Sequence, residues 1–481
     1  MLGAASLLTL VTFGGLLAGF AREWLMVASW GASARTDAYV LAMFVPEALR
    51  AMLAAGVFTS SALALWQARN PGERQRWFAH INLALLGVSL LIALLLSVGS
   101  PAWVHLLAPG LADDQRDATQ RSLAVLAWCV PGIFLQAWWA MPRQAAGHFL
   151  LAALASLVYN LPALAYLGSQ RADAQPLALS WCFVIGSLAS ALLLLPSAWR
   201  SGLPQTAWRG TGAAVREWVS QLAPLLGSAL LGQGVALLER IVASYLGEGA
   251  VTAIHLARKL MNLPLIALQS LNQVLLSLMS RRQSERLQLL RQGLAAVTLL
   301  SLPAALGLML SAPALTAWLF PQAAGAQALA PLLAGYAVIL VAASWNTLLA
   351  RYHYAEGDTR APLVAEVKGS LLQAACLPLL AWLSGPLGLV WALMAGTLLT
   401  ARWLLDAPAL RGGLGLLNQG AVSAVALSLA WWGLRPWLSP QPGVLFAQAA
   451  GVGLVCLLAL AAWLRPWRVG GITTPHDIRP G

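Results

Sequence analysis

The sequence predicts an all-α polytopic membrane protein of about 14 transmembrane helices, built as two parallel six-helix repeats around a central cavity plus two C-terminal helices. Three observations predict it. Hydrophobic residues make up 59 % of the chain and charged residues 10 %, where soluble domains carry about 25 % charge. Apolar runs of near-spanning length recur from end to end, separated by short arginine-bearing gaps. One charged segment early in the chain returns, in altered form, near its middle.

In order, the apolar segments of the first repeat centre on Leu8–Ala28, Asp37–Trp66, Ile81–Val98, Leu123–Ala140, Leu150–Leu167 and Leu177–Leu195. Those of the second are Trp218–Ala243, Val251–Met279, Leu289–Leu310, Ala328–Ala350, Leu363–Leu383 and Leu387–Leu405, and the last two are Leu414–Leu434 and Val444–Leu464. Crossing roughly 30 Å of hydrocarbon takes roughly 20 apolar residues in a helix. Gly and Pro inside these runs are tolerated where neighbouring helices re-satisfy the backbone. The expected domains are therefore residues 1–200 and 201–410 for the repeats, 411–466 for the extra pair and 467–481 for a tail.

Basic residues orient the spans. With the N-terminus inside, the cytoplasmic gaps and tail collect residues such as Arg69, Arg74, Arg143, Arg200, Arg209, Arg282, Arg351, Arg411, Arg465, Arg468 and Arg479. The other face holds only Arg35, Arg116, Arg121, Arg171 and Arg435. This positive-inside pattern places both termini of a multi-pass membrane protein in the cytoplasm. It also accounts for the net charge of +12 without a nucleic acid, since the arginines are dispersed rather than gathered on one soluble module. Trp431, Trp432, Trp437, Trp463 and Trp467 fit interfacial anchors. Cys129, Cys182, Cys376 and Cys456 all fall within apolar runs and share no metal-ligand spacing, so neither a metal nor another cofactor is expected. The first apolar run lacks a basic leader and reads as a retained helix.

Charges inside the apolar runs carry the functional signal. Arg22, Glu23, Asp37, Glu47 and Arg50 interrupt the first two spans, and each costs about 2.5–3.5 kcal/mol if it faces lipid at the bilayer centre. Five together point inward, to a water-accessible cavity. The stretch "VASWGASARTDAYVLAMFVP" (Val27–Pro46) is echoed by "VASYLGEGAVTAIHLARKLMNLP" (Val242–Pro264). The echo has its own embedded charges, Glu239, Arg240, Arg258 and Lys259. The copies lie an even number of spans apart, which predicts parallel repeats with the substrate between them.

The first segment resembles the N-terminal signature of the MurJ (MviN) lipid II flippases, within the multidrug/oligosaccharidyl-lipid/polysaccharide exporter superfamily. The matching residues are Gly19-Phe20-Ala21-Arg22, Trp30-Gly31-Ala32, Thr36-Asp37-Ala38-Tyr39, Pro46, Leu49-Arg50 and Gly56-Val57-Phe58. "LARKLMNLP" (Leu256–Pro264) resembles the family's eighth-helix pattern. The chain departs from that pattern at Leu16, Ala51, Ala55, Arg258 and Lys259. The resemblance implies a flippase for a polyprenyl-pyrophosphate-linked saccharide, either lipid II or an exopolysaccharide repeat unit. It implies functional cavity charges at Arg22, Asp37 and Arg50.

An anionic pyrophosphate head crossing hydrocarbon needs cations and donors, and Arg22, Arg50, Arg258 and Lys259 are the expected substrate contacts. Asp37, Glu47, Glu239 and Arg240 are expected to couple an ion or to form gate ion pairs. Arg22 with Glu23 or Asp37, and Arg50 with Glu47, are the alternative internal locks. The expected partners are the lipid-linked oligosaccharide, membrane lipid, a coupling ion and cell-wall or polysaccharide assembly enzymes. Two other functions compete. A multidrug or organic-cation exporter would want a less basic cavity, and a membrane glycosyltransferase or polymerase would use the outward carboxylates Asp113, Asp114 and Asp117. No glycine-rich phosphate loop for direct ATP drive is present.

Overall fold

The computed structural model describes residues 2–54, 57–205, 210–319, 326–406, 410 and 416–464. Ala55, Gly56, Arg209, Arg411, Arg465, Trp467, Arg468, Arg479 and the 467–481 tail lie outside the described residues. Every regular element described is helical: α1 (Leu2–Trp30), α2 (Ala34–Ala54), α3 (Val57–Gln67), α4 (Pro71–Val98), α5 (Ser100–Leu107), α6 (Asp113–Leu126), α7 (Cys129–Ala145), α8 (Leu150–Gln170) and α9 (Pro176–Arg200). They are followed by α10 (Thr211–Ala243), α11 (Ala250–Arg281), α12 (Arg286–Leu319), α13 (Ala326–Glu356), α14 (Arg360–Ser384), α15 (Pro386–Leu404), α16 (Leu416–Leu429) and α17 (Pro442–Leu464). Ten candidate spans among the described residues are long and apolar enough to cross a membrane. Leu91, Leu95, Leu188, Leu192, Leu454 and Val455 are exposed on them, the outward apolar surface that a lipid solvent requires.

The chain forms two compact units that meet in sequence at Thr252 and Ala253. In the first, α8 and α9 form a hairpin, α1 packs along α8, α7 packs along α9, and α10 lies against α3 and α4. Trp138 stacks on Phe78 at 5.3 Å and meets Trp218 at 5.2 Å, joining α4, α7 and α10. Three buried indole N–H groups here have acceptors. Trp138 Nε1 donates to the Phe78 carbonyl at 3.3 Å, Trp139 Nε1 to Asn82 Oδ1 at 2.6 Å, and Trp218 Nε1 to Ser61 Oγ at 3.0 Å. Pro71 and Glu73 start α4, the Glu73 carboxylate accepting the Asn70 N–H at 3.2 Å.

In the second unit, α14 and α15 form a hairpin and α13 packs along α15, with α12 against α13 and α17. Its core gathers Met279, Leu290, Leu294, Val297, Leu348, Leu349 and Leu404 from α11, α12, α13 and α15. Trp345 Nε1 donates to Thr298 Oγ1 at 2.8 Å, and Thr298 also bonds Gln419 Oε1 at 3.0 Å, which ties α16 to α12 and α13. Asp358 closes the turn into α14. Its carboxylate accepts the backbone N–H groups of Ala361 and Arg360 at 3.0 and 2.9 Å, which hold it below the usual carboxylate range.

The α8–α9 hairpin is closed by a glycine. A Cβ on Gly186 would overlap the Tyr159 carbonyl, a backbone atom that cannot yield without parting the helices. Gly186→Ala is expected to cost about 1–3 kcal/mol by overpacking and to displace Tyr159 and Asn160. Gly168→Ala, where nothing lies within 4 Å, serves as the neutral control in thermal unfolding of the detergent-solubilised protein. Equal midpoints for the two variants would refute this packing argument.

Candidate functional site: a buried charge cluster on α1, α2 and α8

The first unit assembles the cluster from three helices. Arg22 and Glu23 sit on α1, and Glu47 and Arg50 on α2 just after Pro46, which removes one backbone N–H from that helix. The turn between α1 and α2 is pinned to the α8–α9 connection. Trp30 Nε1 and Arg35 Nη2 both donate to the Ala174 carbonyl, at 2.9 and 2.5 Å, and Thr36 Oγ1 donates to the Gly31 carbonyl at 2.6 Å.

Arg22 is only 4 % exposed and its fork is occupied. Nη2 bonds Glu23 Oε1 at 2.7 Å and Glu47 Oε1 at 2.8 Å, while Nη1 donates to Asn160 Oδ1 at 2.9 Å. Asn160 in turn donates to the Ser156 carbonyl at 2.9 Å, so α8 fixes the amide that fixes the guanidinium. The guanidinium carbon lies 4.7 Å from the centre of the Phe183 ring. Arg50 is half-buried and stacks on Tyr159, 4.5 Å from that ring's centre. Two cations and two carboxylates therefore gather on α1 and α2, with Arg50 the more exposed of the two cations.

Of the two sequence-predicted partners of Arg22, the structure selects Glu23 and adds Glu47, which sequence paired with Arg50. Asp37 serves a separate contact, buried at 3 % exposure. Its Oδ2 accepts the Gly249 N–H at 2.6 Å, and its Oδ1 accepts the Thr252 N–H at 2.7 Å and Thr252 Oγ1 at 2.5 Å. These are the free N–H groups at the start of α11, where an anion is favoured. Gly249 supplies the turn with φ +79°, a conformation that L side chains rarely adopt. Glu239 is buried on α10, and Arg240 lies over Phe44 of α2, 4.3 Å from the ring centre. Arg258 and Lys259 are half-buried on α11, in the second unit.

Sequence reasoning missed Asn160, Tyr159, Phe183 and Thr252. Asn160 carried a signal, a lone amide within an apolar span, where polar groups mark functional interiors. The carboxylates Asp113 and Asp114 have a structural explanation. Asp113 and Asp114 occupy the first turn of α6, favourable for its dipole, and Asp113 pairs with Arg116 at 2.9 Å.

The family model described as "Lipid II flippase MurJ" matches residues 26–464. The chain belongs to the MurJ lipid II flippase family. It is a multi-pass membrane transporter rather than an enzyme. A probable lipid II flippase of Thermotoga maritima is 25 % identical over 80 % of this chain and 80 % of its own length. The lipid II flippase of Burkholderia cenocepacia is 26 % identical over 92 % of this chain and 86 % of its own. Among solved structures, a lipid II flippase in an inward closed conformation superposes with a TM-score of 0.84 at 17 % identity, covering 96 % of this chain and 99 % of that one. An inward-facing multidrug transporter of the MATE family reaches 0.67 at 15 % identity, covering 85 % and 96 %. At such identities the superpositions establish a shared fold.

Proposed function

We propose that this chain flips lipid II, a polyprenyl-pyrophosphate-linked saccharide, across the bacterial cytoplasmic membrane by alternating access, with both termini in the cytoplasm. The observation that carries the site assignment is the division of labour between two arginines. Arg22 is buried and already bonded to Glu23, Glu47 and Asn160, whereas Arg50 lies half-exposed on an aromatic ring. A buried guanidinium neutralised by two carboxylates has little attraction left for a phosphate, while an accessible fork can grip one bidentately. Arg50 is thus the principal head-group contact in the first unit, and Arg22 positions the Glu47 turn of α2 from which Arg50 projects. Arg258 and Lys259 supply further cationic contacts. Asp37, Glu47, Glu239 and Arg240 serve coupling or gating, since each contact must break and reform as access alternates. The two repeats at 1–200 and 201–410 belong to this reading. It is supported by the hairpin-on-helix arrangement common to α7–α9 and α13–α15. A coupling ion and cell-wall assembly enzymes complete the proposed set of partners.

The test is lipid II translocation in proteoliposomes. Arg50→Ala is expected to slow it at least tenfold, about 1.4 kcal/mol of lost head-group interaction. Arg50→Lys should recover part of the rate, because it keeps the charge without the fork. Unchanged transport by Arg50→Ala at normal protein levels would remove Arg50 from the head-group site.

A further inference from the structure

The second unit contains a polar groove that the charge cluster does not explain. It has a volume of about 490 Å³ and runs between α13 and α14 over α15. Asn346, Arg351, Tyr354, Glu366, Ser370 and Gln373 contribute to its lining. Hydrocarbon-facing helices have no reason to present such a row to an empty space.

Two amides in it are incompletely used. Asn346 Nδ2 donates to the Thr397 carbonyl at 2.8 Å, which anchors the side chain on α15. Its buried Oδ1 has no hydrogen-bond partner among the described residues. Gln373 is 6 % exposed, and its Nε2 is likewise without a partner there. An acceptor and a donor are therefore both left over on one groove. A hydroxyl group can donate to Asn346 and can accept from Gln373; a phosphate, with acceptors only, can serve Gln373 alone.

The groove also contains the opposite charges Arg351 and Glu366. Paired signs give no net attraction for a bare anion, while a carboxylate and a guanidinium together accept from and donate to vicinal hydroxyls. Tyr354, 39 % exposed and with Arg351 5.9 Å from its ring centre, offers an aromatic face to the apolar side of a sugar ring. The floor is rigid: a Cβ on Gly396 would lie 2.7 Å from the Gly369 carbonyl oxygen and 2.9 Å from the Gln373 Cβ, so α14 and α15 are in close contact beneath the amide.

We infer that this groove is a glycan-binding site, taking the saccharide portion of the lipid-linked substrate through the Asn346–Gln373 amide pair. The inference rests on the proposed flippase function and adds to it a recognition element for the sugars, distinct in chemistry from the cationic contacts for pyrophosphate.

The experiment compares two ligands on full-length protein in nanodiscs by native mass spectrometry: lipid II, and the same polyprenyl pyrophosphate without its sugars. Gln373→Met and Asn346→Leu preserve volume and delete the hydrogen-bonding groups. Each is expected to weaken lipid II binding about tenfold, as the loss of well-placed hydrogen bonds to a hydroxyl does, and to leave the bare carrier unchanged. Retained binding of the bare carrier also certifies the fold of each variant. If either variant fails that control, Ser370→Ala and Tyr354→Leu carry the same comparison. Equal weakening of both ligands, or unaltered binding of lipid II, would overturn the glycan assignment while leaving the flippase reading intact. Wild-type protein that binds neither ligand would overturn the flippase reading itself.

Discussion

Replacing Arg22 with Leu is expected to abolish lipid II transport and to destabilise the protein together. The guanidinium is the shared partner of Glu23, Glu47 and Asn160. Its removal leaves two carboxylates close together in the interior, Glu23 at 2 % exposure. Breaking a buried ion pair from one side costs about 3–5 kcal/mol, because the charge left behind has lost both water and partner. The measurement is a double-mutant cycle on thermal unfolding in detergent with Arg22→Leu, Glu47→Gln and the double variant. Coupling of roughly 1–3 kcal/mol is expected, so that Glu47→Gln repairs part of the stability lost with Arg22. It should not repair transport, since α2 would still lose the contact that places Arg50. If Arg22→Leu stops transport with an unaltered unfolding midpoint and no coupling, Arg22 acts on the head group directly and the positioning role is wrong.

The second large effect is expected at Asp37. Its carboxylate takes three hydrogen bonds from Gly249 and Thr252, and charge-assisted bonds of this kind are worth about 1.5–3 kcal/mol each. Asp37→Ala removes both acceptor oxygens, and so all three bonds, and leaves the start of α11 with unsatisfied N–H groups. Hydrogen–deuterium exchange of the peptide spanning 246–256 should accelerate by at least tenfold in nanodiscs. Asp37→Asn should give an intermediate rate, because its single carbonyl oxygen can still serve Thr252 while its NH₂ meets the Gly249 N–H donor to donor. Transport should fall in the same order. Unchanged exchange in Asp37→Ala would show that the α11 start is held by other contacts, and the gating role of Asp37 would fail with it.

Much of this was legible in the chain because the membrane makes sequence unusually informative. A helix in lipid must satisfy its own backbone and present apolar side chains, so the apolar runs fell on helices and the embedded charges marked the interior. Position 22 and position 37 stood out for energetic reasons alone. Their partners did not. Spacing of three residues on one helix pairs Glu47 with Arg50, yet the structure gives its oxygen to Arg22 and gives Arg50 to Tyr159. Local spacing could not foresee this, since the competing partner comes from another helix. Thr252 lay within the recognised echo and still went unread, because its role depends on where the α11 start meets α2.

Lys368 and Glu366 lie two residues apart on α14 and meet different neighbours: Lys368 lies over Trp403 while Glu366 lines the polar groove. Arg402 and Asp406 form an exposed i,i+4 pair at 3.4 Å, of little consequence for stability. Gln373 and Asn346 carry no signal in the sequence, for an isolated amide does not announce whether its hydrogen bonds are met.

The sequence by itself determined that the apolar runs are helices, and it gave the inventory of charges withheld from lipid, because hydrocarbon penalises each misplaced polar group locally and residue by residue. Only the tertiary structure decided which charge neutralises which, which arginine stays accessible and which amides remain unsatisfied, because those outcomes depend on distances of about 3 Å between helices far apart in the chain.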